Sequence, residues 1–275
     1  MNVKNRLPLK CLLCLVLLSS LGKIAAEDIR IVAPYVGSLS NDYTDASSGM
    51  NLKDSGLLTG LYFQWINPDK YQWNAFAYYA PDVNYSKILG GHFIFDYYLG
   101  ANPDGKWVVG AGIESVNMNF DAGDAISGMR DFTMTNRVLV PYGRLGKYFK
   151  TDIGPARVSI LPWAGVQPEW ATSKMEMMYY IPGGPMMGWH SSSTDTSDYF
   201  FYGIAGLNLK VNLFHFIDLE GKYQGTFDKT EYLSTWTANA NVFFSRKYGL
   251  SYRFKYMEND TGSNTYHYIG LAYMF

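Results

Sequence analysis

The chain ends Thr265-Tyr266-His267-Tyr268-Ile269-Gly270-Leu271-Ala272-Tyr273-Met274-Phe275, an alternation that stops on an aromatic residue. Successive side chains of a β-strand point to opposite faces, so Ile269, Leu271, Tyr273 and Phe275 share one face. Tyr266, Tyr268, Gly270, Ala272 and Met274 share the other. The first face is greasy throughout and the second is small or tyrosyl. A soluble domain rarely leaves such a strand uncovered, whereas a strand facing lipid needs no cover. Strands cross a bilayer only as a closed barrel, because every backbone donor and acceptor must then find a partner within the sheet.

Working back from this strand, hydrophobic alternations fall near 28–37, 54–66, 71–83, 87–101, 106–120, 132–149, 156–173, 199–214, 217–230, 231–245, 248–258 and 265–275. They predict an all-β chain, a transmembrane antiparallel up-and-down β-barrel of about twelve strands, an even number as single-chain bacterial barrels have. Leu207, Leu209, Val211 and Leu213 alternate with Asn208, Lys210 and Asn212, and Tyr248, Leu250, Tyr252, Phe254 and Tyr256 with Ser251, Arg253 and Lys255. A secreted β-sandwich would show similar alternation with its apolar face turned inward. Two features favour the barrel. The strands run to about ten residues or more, beyond the usual five or six of globular sheets. Aromatic residues (Trp65, Tyr71, Trp73, Tyr97, Trp107, Trp236, Phe244) gather near strand ends, as interfacial girdles require.

The terminal Phe275, with apolar residues two, four and six positions before it, resembles the recognition signal of bacterial outer-membrane β-barrels. That resemblance implies that Ile269, Leu271, Tyr273 and Phe275 engage the barrel assembly machinery and that the C-terminus is periplasmic. The connections near 66–71, 101–106, 149–156, 214–217 and 245–248 are then periplasmic, and all are short. Two of them, Asn67-Pro68-Asp69-Lys70 and Asn102-Pro103-Asp104-Gly105, are built of good turn formers. Longer extracellular loops are expected near 38–53, 121–131 and 174–198.

The N-terminus agrees with this compartment. Lys4, Arg6 and Lys10 precede an apolar run from Cys11 to Leu18 and a small-residue exit at Ala25-Ala26, which reads as a signal peptide over 1–26 and a single barrel domain over 27–275. The run is short of the ~20 residues of a spanning helix. No small-residue lipobox precedes Cys11 or Cys14, so both cysteines leave with the leader and no disulfide is expected. Removing the leader shifts the net charge from −1 to about −5. No basic patch remains to hold nucleic acid. Aromatic residues make up 17% of the chain and charged residues also 17%, less than the ~25% of a soluble domain. The sequons at Asn84 and Asn259 carry no weight in a bacterial outer membrane.

Function is therefore sought in the lumen and the outer loops. Strand parity places His92, Asp96, Glu114, Arg157, Trp163, Glu169, Lys210, Glu220, Lys222, Arg253 and Lys255 inside, with Tyr62, Phe76, Tyr78, Tyr98, Tyr202 and Tyr268. Arg137 and Arg144 have opposite parity, so one of them implies a bulge or lies beyond the membrane. Paired charges fill small barrels as a polar core, and twelve strands lie between plugged and water-filled sizes. If the lumen conducts, its mixed charge and aromatic lining suit small polar solutes with a flat or apolar face. Such a lumen is similar in architecture to the nucleoside-specific channel family, whose diagnostic motifs are absent here.

Two other chemistries are open. His190-Ser191-Ser192 resembles the outer-membrane phospholipases, which carry a His and a Ser two residues apart on one strand, and Asp195 or Asp198 would orient the imidazole. The Asn-Gly context of that family is missing. The spacing of His92 and Asp96 raises a similar question. Met175, Met177, Met178, Met186 and Met187 cluster with Tyr179, Tyr180, Trp189 and His190. Thioethers and an imidazole suit Cu(I), but methionine also fills gaps against aromatic rings. The packing reading is preferred: Pro182-Gly183-Gly184-Pro185 turns a Met/aromatic hairpin over the barrel mouth as a lid. No cofactor, metal or catalytic residue is assigned.

Overall fold

The computed structural model describes residues 28–44, 51–67, 70–83, 85–100, 105–123, 129–181, 188–214, 216–227, 232–259 and 262–275. The expected leader, Asn84, Met186 and Met187 lie outside them. Twelve antiparallel strands form a closed barrel in sequence order. They are β1 (Ile29–Thr44), β2 (Asn51–Asn67), β3 (Tyr71–Val83), β4 (Ser86–Leu99), β5 (Lys106–Gly123) and β6 (Met129–Ile153), followed by β7 (Ala156–Ile181), β8 (Gly188–Leu213), β9 (Ile217–Phe227), β10 (Tyr232–Phe243), β11 (Tyr248–Asn259) and β12 (Gly262–Met274). No helix among the described residues is long and apolar enough to cross a membrane.

Closure follows from the terminal alternation. β12 pairs with β1 over Ile31↔Met274 to Tyr43↔Gly262. Tyr266, Tyr268 and Ala272 are buried inside, while Ile269, Leu271 and Phe275 are exposed outside. The seam extends past the last strand residue: the Phe275 amide donates to the Arg30 carbonyl at 3.0 Å. Arg30 lies over the rings of Trp65 (4.5 Å) and Phe275 (5.8 Å). At this end the Asp28 carboxylate also accepts from Trp65 and Asn67.

The outer surface is the inverse of a soluble sheet. Phe93, Phe95, Tyr97, Val109, Leu145, Ile160, Leu209 and Leu250 are exposed large hydrophobics. Phe63, Trp65, Trp73 and Phe93 form a chain of ring contacts across neighbouring strands, with centroids 4.8 to 5.8 Å apart. Such a band is stable only against lipid, where it replaces the buried face that a soluble sheet would need.

The expected long loops are a correction. Connections at the end away from the termini span only two to six residues, and most of 38–53, 121–131 and 174–198 is strand. β7 and β8 run 26 residues each, far more than the ~9–11 needed to cross a bilayer. Ser, Thr and Asp give these segments a loop-like composition, and without lipid they lose the apolar alternation that marks a membrane strand. An uninterrupted ladder from Ala156↔Leu213 to Ile181↔Gly188 carries them outward as a ribbon. The arginine ambiguity also resolves. Register through β5 and β6 is regular from Phe120↔Met134 to Lys106↔Tyr148, so Arg144 points inward and is buried. Arg137 is exposed on the outer face, paired with Asn117 and Thr172.

Candidate functional site: the lumen

Among the described residues, two cavities lie stacked along the inward faces of the barrel. The larger, about 420 Å3, takes its walls from the middle and far half of the barrel. The smaller, about 280 Å3, lies toward the termini. Asn208 lines both, and its Oδ1 accepts from Trp163 Nε1 at 3.1 Å. His92, Glu114, Trp163, Glu169, Lys222, Arg253 and Lys255 line the larger cavity. Asp96, Arg157, Lys210 and Glu220 line the smaller one.

Ion pairs divide these compartments. Arg144, from β6, reaches past β5 to Asp96 on β4, Nε at 3.1 Å and Nη2 at 2.8 and 2.7 Å from the two carboxylate oxygens. Its guanidinium faces the larger cavity and its partner carboxylate the smaller. Lys222 and Glu220 are split the same way, with Nζ 3.0 Å from Oε1. Asn239 holds the other Glu220 oxygen at 3.1 Å. Both pairs stand between side chains of the same wall, so they narrow the path without crossing it. The Lys255–Glu114 pair differs: at 2.6 Å it joins β11 to β5, six strands apart on opposite walls of the twelve-stranded ring. It is a strut across the lumen, and it requires a flattened cross-section.

One wall is aromatic. Tyr35, Phe76, Tyr78, Tyr266 and Tyr268 are all buried and pack edge-to-face or stacked, with centroids 5.0 to 6.5 Å apart. His92 joins this wall through Phe76 at 5.8 Å. Glycine makes room for the rings: a Cβ on Gly90 would overlap the Tyr78 ring, and one on Gly206 the Trp163 ring. Arg253 projects from β11 into the aromatic wall. Its guanidinium carbon lies 3.2 Å from the centroid of Tyr62, and its Nε donates to Tyr35 Oη at 2.8 Å. Tyr35 also bonds Ser251, which donates to Asn241 at 2.5 Å.

Sequence parity missed three lumen bases. Besides Arg144, Lys106 and Lys150 turn into the smaller cavity from strand ends near the rim. Arg144 adds to the basic side of the larger cavity. Arg144, Lys222, Arg253 and Lys255 line the larger cavity against Glu114 and Glu169. Lys106, Lys150, Arg157 and Lys210 line the smaller against Asp96 and Glu220. Asp218 on Lys210 and Asp152 on Arg157 balance the smaller compartment, so the basic excess belongs to the larger one, four basic side chains against two acidic.

The outer residues are arranged differently from expectation. Met175, Met177, Met178, Trp189 and His190 lie in the β7–β8 ribbon, and none of them lines either cavity. A hairpin whose backbone is fully paired extends the sheet and does not fold as a coil into the mouth. Alternation puts Met175, Met177 and Tyr179 on one face and Met178 on the other, which divides the thioethers proposed for copper. His190 packs on Tyr179, centroids 6.0 Å apart. Asp195 has the opposite parity to His190 on β8, and Asp198 stands eight residues along the strand, about 27 Å away. Neither can orient the imidazole. In the lumen, Asp96 is held by Arg144, so it is not available to His92.

No family model matches the chain, and no curated protein matches it. Among solved structures it is similar to the translocator domain of the autotransporter NalP from Neisseria meningitidis. The two share 13% identity over 98% of this chain and 95% of that one, with a TM-score of 0.50. It is also similar to the KdgM porin (10% identity, 89% of this chain and 99% of that one, TM-score 0.44) and to the P. putida toluene transporter TodX (8%, 92% and 91%, 0.41). At such identities the likeness is one of fold: the chain folds as a bacterial outer-membrane β-barrel does.

Proposed function

We propose that the protein is a gated conduit for small polar solutes in a bacterial outer membrane, with the ribbon end outside and both termini periplasmic. The observation that carries this reading is the pair of stacked cavities meeting at Asn208, divided by ion pairs. A purely structural barrel gains most from a lumen closed by well-packed side chains, since buried ion pairs recover little net stability. The Lys255–Glu114 strut, more exposed than the Arg144–Asp96 pair, sets a resting constriction that a solute or a wall displacement must open. The geometry therefore favours restricted over free diffusion.

Proteoliposomes carrying the purified protein should swell in iso-osmotic solutions of single-ring solutes and not in solutions of large oligosaccharides. Absence of swelling with every solute would contradict the conduit. Insertion is expected to depend on the outward face of β12. Deleting Phe275 removes the amide bond to Arg30 and the last aromatic residue of that face, so the yield of folded barrel in the outer membrane should drop several-fold. Unchanged yield, read from the heat-sensitive gel mobility of membrane fractions, would separate this strand from assembly.

A further inference from the structure

Of the four bases that line the larger cavity, Arg253 is the one with no carboxylate partner among the described residues. Arg144, Lys222, Lys210 and Lys255 each have a carboxylate within 3.3 Å. Among the described residues no carboxylate lies within ion-pairing distance of Arg253, although it is only 9% exposed. A charge removed from water without a counter-charge is costly, and proteins retain one where a ligand supplies the missing partner. Its setting is also rigid. Tyr62 covers one face of the guanidinium and Tyr35 fixes Nε through the Ser251–Asn241 chain, so the planar fork is held for a bidentate acceptor.

The surroundings define what that acceptor is attached to. Phe76 and Tyr268, 5.0 Å apart, stand beside Arg253, and Tyr268 is its cross-strand partner. The cavity of about 420 Å3 accommodates one ring and several waters. The basic excess of the larger compartment attracts anions to it. Taking the lumen as the solute path, we propose that the barrel selects small organic anions with a flat apolar body, of which an aromatic monocarboxylate is the chemical type. The carboxylate docks on Arg253 and the ring lies against the tyrosine wall.

Two measurements on the full barrel test this. Reversal potentials in a potassium chloride gradient should show anion preference, and calorimetry in detergent should show benzoate binding while benzylammonium does not bind. Replacing Arg253 with Gln should weaken benzoate binding by about tenfold, the scale of one lost charge-assisted contact. Cation preference, or equal binding of benzoate and benzylammonium, overturns the assignment even if the Arg253→Gln variant fails to fold. Conductance without anion preference or benzoate binding defeats this inference and leaves the conduit standing. Benzoate binding through Arg253 with no conductance defeats the conduit and leaves the anion site.

Discussion

Gly110 decides whether Arg144 and Asp96 can meet. It lies between them in register on β5, and a Cβ there would overlap the Asp96 carboxylate and press on the Arg144 side chain at 2.8 Å. The pair it admits is nearly dry, with side-chain exposures of 6% and 7%. Replacing Asp96 with Ala leaves the guanidinium buried without its partner, at a cost on the order of 3 kcal/mol. Removing both charges in Arg144→Ala/Asp96→Ala should cost clearly less. Urea unfolding of the barrel in vesicles measures the difference; equal losses in the two variants would mean that the pair contributes little beyond packing. At this scale the inward residues of regular strands were legible, because alternation alone assigns a face. Arg144 was not, since a second arginine of opposite parity on the same strand left the register ambiguous. The Lys255–Glu114 strut was not legible either: no local pattern encodes how strongly a barrel is flattened, and that shape decides which opposite walls touch.

Element boundaries show a different limit. The apolar alternation that reveals a strand is imposed by lipid, so it stops where lipid stops. Beyond that level β6, β7 and β8 continue on backbone pairing alone, through Ser173, Ser191, Ser192, Ser193 and Thr194, whose types suggest loops. The apparent Met-rich lid is the outer part of this ribbon. Because its residues line neither cavity, shortening it by joining Ser173 to Tyr199 through a tight turn should leave the barrel folded and its solute permeability within about twofold of the intact protein, as expected for a change away from the packed features that set stability. Far-UV circular dichroism and proteoliposome swelling test this together. A several-fold rise in permeability would restore the lid.

For the whole molecule, the separation of charge is the property that most affects function. The chain is slightly acidic in total, yet the larger lumen compartment is lined by twice as many basic as acidic side chains. The surplus is confined to a low-dielectric passage, where fixed charges act more strongly than on an open surface. The terminal strand specified barrel closure, and Arg144, whose face parity left ambiguous, adds to the basic excess of the larger compartment. A gated conduit requires that solutes pass through this lumen against a constriction made of ion pairs. Single-channel recording in planar bilayers tests it most directly, comparing the unaltered barrel with Arg144→Ala/Asp96→Ala. Discrete conductance steps that grow severalfold in the double variant are predicted, and bilayers that stay insulating with both proteins would contradict the conduit.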